Sequence, residues 1–570
     1  MDSMKYIKYK KEFFLGFFFK IIEVGFELFL PIFMAILMKD GLKNKNYEKG
    51  FLMAGLILVF CVLGYLSTVY AHRLTAKVSQ NYAQNLRQAL FYKIQDLSIE
   101  DLEEFSSSSL TNRINTDVQQ MQNGLAMTMR IASRAPFLMI GSIVALFIVS
   151  PKVALILLCS LPLLLVMLLL VMKVSIKNFK KFQNQNDKLI DVVKDNTEGA
   201  RMIRAFAQVE HEENRFHKKN ETLSLILVKL GKLTSFSTPF TMLAMNIVLV
   251  AMIYVGSKDV YNNSMQQEQL IQIINYVTQL TLSIVSVMNL MMLYTKAGTA
   301  SIRIKEILDK EPTVINMNNE KLDSTPAKIE FRDVSYTYKN HLQPTLNHIN
   351  FTILPGQTIG IVGLTGSGKT TLVDLLLRFY NTTTGEILIN DKKIESYDLF
   401  DLRDKIAYAS QKASLLSGNV EKNIKMKNEY TNIKINEALN EAQANFILND
   451  SEGISKTVNK QGNNFSGGQK QRLALTRALV KESSILILDD VFSALDYVTD
   501  YKIRKQLDSK ENKPTTILIS QRLSSLMKAD KIIVIDNATI AAIDTHENLL
   551  KNNELYKKLY ETQIQGGQES

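Results

Sequence analysis

Residues 359–371 read IGIVGLTGSGKTT, and the next ten read TLVDLLLRFY when counted from Thr371. An apolar run of strand length enters a glycine-rich turn, and an amphipathic helix leaves it. The spacing Gly363-x-x-x-x-Gly368-Lys369-Thr370 is that of a phosphate-binding loop, and the strand–loop–helix setting is the context such a loop requires. Amide groups at a helix start have no partner within the helix, so they can cradle phosphate oxygens. Lys369 is then placed to reach the β- and γ-phosphates of a nucleoside triphosphate, and Thr370 to ligate Mg²⁺. Gly363, Thr365, Gly366, Ser367, Gly368 and Thr371 complete the expected nucleotide-binding set.

Two further stretches extend this reading. Residues 485–490 are ILILDD, an apolar strand ending in two carboxylates. Asp489 is the expected metal-linked carboxylate, and Asp490 stands where a catalytic base is needed. Residues 464–472 are NFSGGQKQR, in which Ser466, Gly467 and Gly468 precede a second amphipathic helix, fit to meet a second phosphate group. One chain does not easily bring both glycine-rich loops to one nucleotide. The geometry implies two such halves arranged head to tail.

The N-terminal half is of a different kind. The 570 residues carry 67 Lys and Arg against 56 Asp and Glu, a formal charge of +11, and are 46% hydrophobic. That composition excludes a disordered chain. The two cysteines, Cys61 and Cys159, lie inside apolar runs, which excludes a disulfide scaffold. Stretches 50–71, 135–151, 153–172, 233–257 and 269–295 contain no Asp, Glu, Lys or Arg. Each is long enough to span a bilayer, which takes roughly 17–25 apolar residues. Phe13–Met38 adds a sixth span, read as retained rather than as a signal peptide. Short connections alternate with long ones, 73–130 and 173–232, which read as helices extended beyond the membrane. With the N-terminus inside, the inner segments hold 23 Lys and Arg and the outer ones six, as the positive-inside rule expects. The lysine-rich outer loop Lys39–Lys49 departs from it. Lys20, Glu23 and Glu27 share one face of the first span. Ionisable groups at that depth line a path or meet a partner: either Glu23 and Glu27 face a transport path and favour cationic substrates, or Lys20–Glu23 is a structural pair.

Six spans followed by these motifs resemble an ATP-binding cassette (ABC) exporter half-transporter, over essentially the whole chain. LTGSGKT, NFSGGQKQR, ILILDD, SALD (493–496) and LISQRLSS (518–525) occur in the family's order. The resemblance implies that Gln411, in YASQKASLLSG, is the Q-loop glutamine near the metal, that Tyr338 stacks on adenine, that Asp496 belongs to the D-loop, and that Ser466, Gly467, Gly468 and Gln469 form the signature acting on a partner's nucleotide. Segments 110–118 (LTNRINTDV) and 199–206 (GARMIRAF) resemble the family's coupling regions. The architecture expected is a polytopic α-helical membrane domain, residues 1–310, a linker, 311–325, and an α/β P-loop cassette, 326–570. ATP and Mg²⁺ are the implied cofactors, and a multi-pass location in a bacterial cell membrane with both termini cytoplasmic is the implied setting. The basic charge is then met by anionic lipid, and a nucleic-acid role is not expected.

The chain departs from the family pattern where chemistry is done. The residue after Asp489 is normally Glu and here is Asp490, one methylene shorter. The switch histidine is replaced by Gln521, which can hydrogen-bond a phosphate but cannot carry charge. Asn459-Lys460 stands where Gly-Glu is common. Binding parts are spared while hydrolytic parts are changed, a pattern resembling the degenerate-site subunit of heterodimeric bacterial exporters. The expectation is a second half-transporter as partner, membrane lipid as environment and a hydrophobic or amphipathic drug, lipid or peptide as load. A homodimeric slow ATPase and a non-hydrolysing regulatory subunit are the alternatives.

Overall fold

The apolar runs of the first half lead without a break into polar stretches of helical periodicity, so the helices outgrow any bilayer. A computed structural model describes residues 3–316, 319–339, 341–510 and 513–568. The chain forms two units, Met1–Gln95 with Ser107–Lys310, and Asp96–Ser106 with Glu311–Ser570.

Helices α1 (Lys10–Ile36) and α2 (Tyr47–Asp96) open the chain, and α3 (Ile99–Glu103) falls within the second unit. The first unit resumes with α4 (Ser107–Asn112), α5 (Val118–Met127), α6 (Ala135–Val149), α7 (Pro151–Glu198), α8 (Ala200–Ala205), α9 (Val209–Tyr261) and α10 (Gln267–Leu308). The 48 residues of α7 span about 70 Å at 1.5 Å per residue, more than twice a hydrocarbon core of about 30 Å. Packing in the apolar part rests on Leu146, Leu157, Met252, Ile273 and Tyr276. The Tyr276 hydroxyl donates to Leu28 O at 2.9 Å.

Among the described residues five helical stretches are long and apolar enough to cross a membrane: Lys10–Lys43, Tyr47–Asp96, Ser107–Val149, Met242–Tyr261 and Gln267–Val287. The expectation of six is therefore met only in part. Helix α7 runs through the expected fourth span, 153–172, but most side chains from 161 to 172 lie outside the described set. Its described apolar portion, Pro151–Ser160, is too short to cross by itself. The lysine-rich outer segment carries its own compensation: Lys49 pairs with Asp40 at 3.7 Å and Lys43 with the buried Glu268 at 3.6 Å.

Segment 110–118 runs from α4 through a π-helical turn, Arg113–Asp117, into the start of α5. Asp117 is fully buried and accepts from Arg303 Nε at 2.8 Å and from its Nη2. Arg113 Nη1 donates to Arg303 O at 2.7 Å and pairs with Glu306 at 2.7 Å. This network fixes the turn to the end of α10. Segment 199–206 holds the short helix α8 between the long helices α7 and α9.

In the second unit a four-stranded antiparallel sheet is formed by β1 (Ile329–Tyr336), β2 (Leu346–Ile353), β4 (Thr384–Ile389) and β5 (Lys392–Lys393), in the order β2-β1-β4-β5. A six-stranded sheet has the order β12-β11-β3-β10-β9-β6. Its members are β3 (Thr358–Gly363), β6 (Ile406–Ala409), β9 (Ile485–Asp489), β10 (Thr515–Ile519), β11 (Lys531–Asp536) and β12 (Thr539–Asp544), and only β12 is antiparallel. Gly418–Asn419 and Thr457–Val458 pair as β7 and β8. Strands β9 and β10 are buried along their whole length, which is why apolar residues follow one another without alternation in ILIL of β9 and ILI of β10. The polar stretch 311–325 is strapped down: Thr313 bonds Asp101 through its amide (2.9 Å) and hydroxyl (2.6 Å), Asn316 bonds Asp398, and Leu322 is buried.

Asp117→Asn should leave Arg303 without its counter-charge. The Arg303 side chain is exposed, so water meets most of the charge left behind and the expected cost is about 1 kcal/mol. The expected outcome is a lower thermal midpoint of the full chain in detergent; an unchanged midpoint would mean that water already meets both charges.

Candidate nucleotide site

Strand β3 lies between β10 and β11 in the middle of the large sheet, and the loop after it delivers α11 (Lys369–Leu376). Two glycines are structurally required. Gly368 has φ +97°, and a Cβ there would meet Leu346 Cδ2 and Thr345 O at 2.7 Å. A Cβ on Gly363 would lie 2.4 Å from Ile535 O. The tip, Leu364–Gly366, is exposed, as is Thr370, whereas Ser367, Gly368 and Lys369 are buried. The Lys369 ammonium donates to Gly363 O (2.9 Å), Leu364 O (2.7 Å) and Ser367 Oγ (3.3 Å), so acceptors of the loop close round it. Burial pulls its pKa down, and Asp489 and Asp490 oppose that.

Strand β9 brings Asp489 and Asp490 to the same end of the sheet. Burial first, and then the Asp490 charge, push the Asp489 carboxyl up to about 6, although Lys369, Thr370 and Tyr408 favour its ionised form. The Thr370 hydroxyl and the Asp489 carboxylate lie near each other. Hydroxyl, carboxylate and the Gln411 amide oxygen are hard donors of the kind Mg²⁺ takes, with phosphates supplying the rest of its shell. No cluster of three or more His, Cys, Asp or Glu stands ready for a metal among the described residues.

Asp490, Gln411 and Gln521 come together as the motif order implies. Gln411 Nε2 donates to Asp490 Oδ2 at 3.1 Å, and Gln521 N approaches Asp490 Oδ1 at 3.5 Å. Asp490 adopts φ 47°, ψ 32°. A non-glycine residue in this left-handed region costs about 1–3 kcal/mol and commonly marks a functional site. The Gln521 side chain is exposed, while its carbonyl accepts from Gln563 Nε2 at 2.7 Å in the last helix.

Tyr338 sits in an aromatic group with Tyr336 (centroids 4.9 Å) and Tyr380 (5.4 Å), and its hydroxyl lies 3.1 Å from Thr371 Oγ1. The Tyr380 hydroxyl donates to Glu103 at 2.8 Å, and Lys339 pairs with Glu100 and Glu104 at 3.3 Å each. These bonds tie α3 to the aromatic group at Tyr338. The contact of α3 with these aromatics lay outside the sequence reading, which marked 110–118 and 199–206 as resembling coupling regions. The acidic run Glu100–Glu104 was the available signal.

Ser466 caps the helix Gly467–Leu479 reciprocally with Gln469: Gln469 N donates to Ser466 Oγ (3.3 Å) and Ser466 N to Gln469 Oε1 (2.9 Å). Ser466 and Gly467 are exposed. This corner abuts the SALD loop, since a Cβ on Gly468 would lie 3.1 Å from Ala494 O. Asp496 caps the following helix through Thr499 N at 3.0 Å. No hydrogen bond among the described residues joins the Ser466–Gln469 corner to residues 363–371. Three residues escaped the sequence reading. Arg522 donates to Leu495 O and Ser493 O at 2.9 Å each and so holds the SALD loop. Tyr408 favours the ionised form of Asp489. Asp374 interrupts the apolar face of α11, and burial followed by the charges of Asp489 and Glu103 pushes its carboxyl up to about 7.

In the first unit Glu23 and Glu27 are already matched by cations. Lys20 Nζ lies 2.6 Å from Glu23, and Arg134 Nη2 reaches both Glu27 oxygens at 2.8 and 2.7 Å. Glu27 lines a cavity; Glu23 is not among its lining residues.

Known proteins match along the whole chain. The model of the ABC transporter transmembrane region matches residues 13–284, and the ABC transporter model matches 346–493. An uncharacterized ABC transporter ATP-binding protein of Bacillus subtilis is 33% identical over 555 residues, 95% of both chains. The ATP-dependent lipid A-core flippase 1 of Colwellia psychrerythraea is 30% identical over 578 residues, 98% of this chain and 96% of that one. Among solved structures, a bacterial Atm1-family ABC exporter with ATP bound shares the fold, with a TM-score of 0.85 at 21% identity over 97% of this chain and 99% of that one.

The raised carboxyls fix a pH dependence. A group whose folded pKa exceeds its unfolded value stabilises below the unfolded pKa, 3.8 for Asp, and loses that contribution as pH rises through the folded one, about 6 for Asp489 and about 7 for Asp374. Asp374→Asn should therefore raise the thermal midpoint of the nucleotide-free chain at about pH 8, by up to about 4 kcal/mol in unfolding free energy at about 1.4 kcal/mol per pKa unit, and flatten the decline between about pH 5 and 8. An equal midpoint for both proteins at about pH 8 would show the carboxyl to be solvated.

Proposed function

The chain belongs to the ABC transporters, joining their transmembrane region and their ATP-hydrolysing domain in one polypeptide of exporter fold, and from that membership we propose that it is the degenerate-site half of an asymmetric ATP-driven exporter. Residues 1–310 form the membrane domain, 311–325 the strap and 326–570 the nucleotide-binding domain. Six crossings place both termini and the ATPase domain on the cytoplasmic side. Tyr338 stacks on adenine, Gly363–Gly368 and Thr371 hold the phosphates, Lys369 neutralises the β- and γ-phosphates, and Thr370, Asp489 and Gln411 hold Mg²⁺.

The observation that carries the reading is the tether on Asp490. Its carboxylate is one methylene shorter than the usual base, and it is held back by Gln411 Nε2 at 3.1 Å. A displacement of about 1 Å can cost roughly a hundredfold in rate. Gln521 offers a neutral amide to the γ-phosphate where a histidine would offer charge. ATP is thus bound in this chain's own site and hydrolysed slowly. The reciprocal cap on Ser466 leaves the signature exposed and preorganised, which suits it to complete a partner's active site. The partner is a second half-transporter carrying Glu and His at the corresponding positions. ATP binding closes the pair and turns the membrane domains outward, and hydrolysis at the partner's site resets them. The load is hydrophobic or amphipathic, a reading supported by a relative that bears the name of a lipid A-core flippase.

Restoring both groups tests this. The purified full chain in lipid should bind ATP with or without the changes Asp490→Glu and Gln521→His. Its turnover without a partner should rise about ten- to a hundredfold when both are made. Brisk hydrolysis by the unmodified chain alone, with no gain in the double variant, would favour the homodimeric ATPase and sink the asymmetric one.

A further inference from the structure

The charges at the membrane-embedded cavity do not balance in the direction the sequence suggests. A cavity of about 80 Å³ is lined by Glu27, Arg130, Arg134, Gln279, Ser283, Ser286 and apolar neighbours. Its ionisable groups are one carboxylate and two guanidinium groups. Both oxygens of the carboxylate are taken by Arg134 Nη2. Glu23 does not supply the missing charge: it pairs with the buried Lys20 at 2.6 Å and is 3.6 Å from Arg134 Nε. Arg130 is left as the surplus cation, and its Nε is buried without a hydrogen-bond partner among the described residues. Arg130 closes the inner segment 73–130, just before the apolar stretch 135–151, and an unmatched cation beside a span usually faces a cavity or a partner.

Two further features lie at the same place. Arg130 sits in a π-helical turn, Thr128–Ala132, and such turns are rare and gather at functional sites. Across the cavity Gln279 spends its amide on Glu27 O at 3.2 Å, which leaves Gln279 Oε1 buried and without a donor. The cavity thus offers a cation and a hydrogen-bond acceptor together. A space of about 80 Å³ is several times what one water needs, about 10–15 Å³, and so admits a phosphate-sized group.

We propose that this cavity binds an anionic group carrying a hydroxyl, such as a hydroxylated phosphate diester or a hydrogen phosphate, with Arg130 as its principal counter-ion and Gln279 Oε1 accepting from the hydroxyl. Glu27 acts as a competitor, holding Arg134 away from the ligand. The load favoured at this point of the membrane domain is an anionic amphiphile, the opposite of the cationic one that Glu23 and Glu27 suggest on their own. The proposal rests on the transporter reading in taking the ligand as cargo, but the site itself can be tested without turnover.

The full-length chain in zwitterionic detergent is titrated with phosphatidylglycerol and, separately, with phosphatidylcholine of the same acyl chains, and bound lipid is counted by native mass spectrometry. ATP binding by the same preparation reports the cassette reading separately. Phosphatidylglycerol should bind preferentially. Arg130→Gln should weaken it about tenfold, the scale of one charge-assisted hydrogen bond, and Glu27→Gln should strengthen it by freeing Arg134. Competition by millimolar inorganic phosphate would identify the free anion as sufficient, and its failure to compete would identify the lipid headgroup. Equal binding of the two lipids, Arg130→Gln binding like the parent, or weaker binding by Glu27→Gln would each overturn the proposal.

Discussion

Two carboxylates in sequence at the end of a buried strand are costly to hold, and the ATPase domain is arranged around that cost. Strand β9 cannot expose Asp489 and Asp490 to water without giving up its place between β6 and β10. Their mutual repulsion and desolvation are offset locally by Lys369, Thr370 and Tyr408 around the first carboxylate and by Gln411 around the second. A divalent cation and triphosphate would bring the remaining compensation. A site strained in this way without its ligand responds strongly when the ligand arrives, which is what a nucleotide-driven machine requires.

The same strain reaches beyond the phosphates. Asp374 lies between Asp489 and Glu103, and Tyr380 carries a hydrogen bond from the aromatic group at Tyr338 to Glu103 on α3. Asp489 and Glu103 both act on Asp374, and Glu103 belongs to a segment that follows α2 directly in the chain. The linkage is electrostatic and short-ranged; Tyr380 is buried, whereas Glu103 is exposed, so salt weakens it at that end.

Charge in the spanning helices follows a parallel logic. Lys20, Glu23, Glu27 and Arg134 form a chain of pairs in which each carboxylate has a cation, and Tyr276 and Gln279 anchor the neighbouring helix to the backbone of α1. Such pairing lowers the cost of ionisable groups in lipid. It also decides what they can do, because a carboxylate already bidentate to arginine has little left for a cationic ligand.

Local pattern sufficed wherever function is a matter of spacing. Gly363 to Thr370, the strand ending in Asp489 and Asp490, and Ser466 to Gln469 are short stretches whose chemistry follows from backbone geometry, so the fold class, the nucleotide and the transporter class were legible in the sequence. Asp490 and Gln521 were legible as departures for the same reason. Partnerships between residues far apart in sequence were not. The pairing of Glu27 with Arg134, 107 positions away, the meeting of Asp117 with Arg303, and the docking of Asp96–Ser106 among the cassette residues depend on which helix faces are turned together. Periodicity fixes the face of one helix, but not the neighbour that covers it. The sign of the charge left over in the cavity is a sum over side chains from two separate stretches of chain, 20–27 and 130–134, and only the tertiary structure carries out that sum.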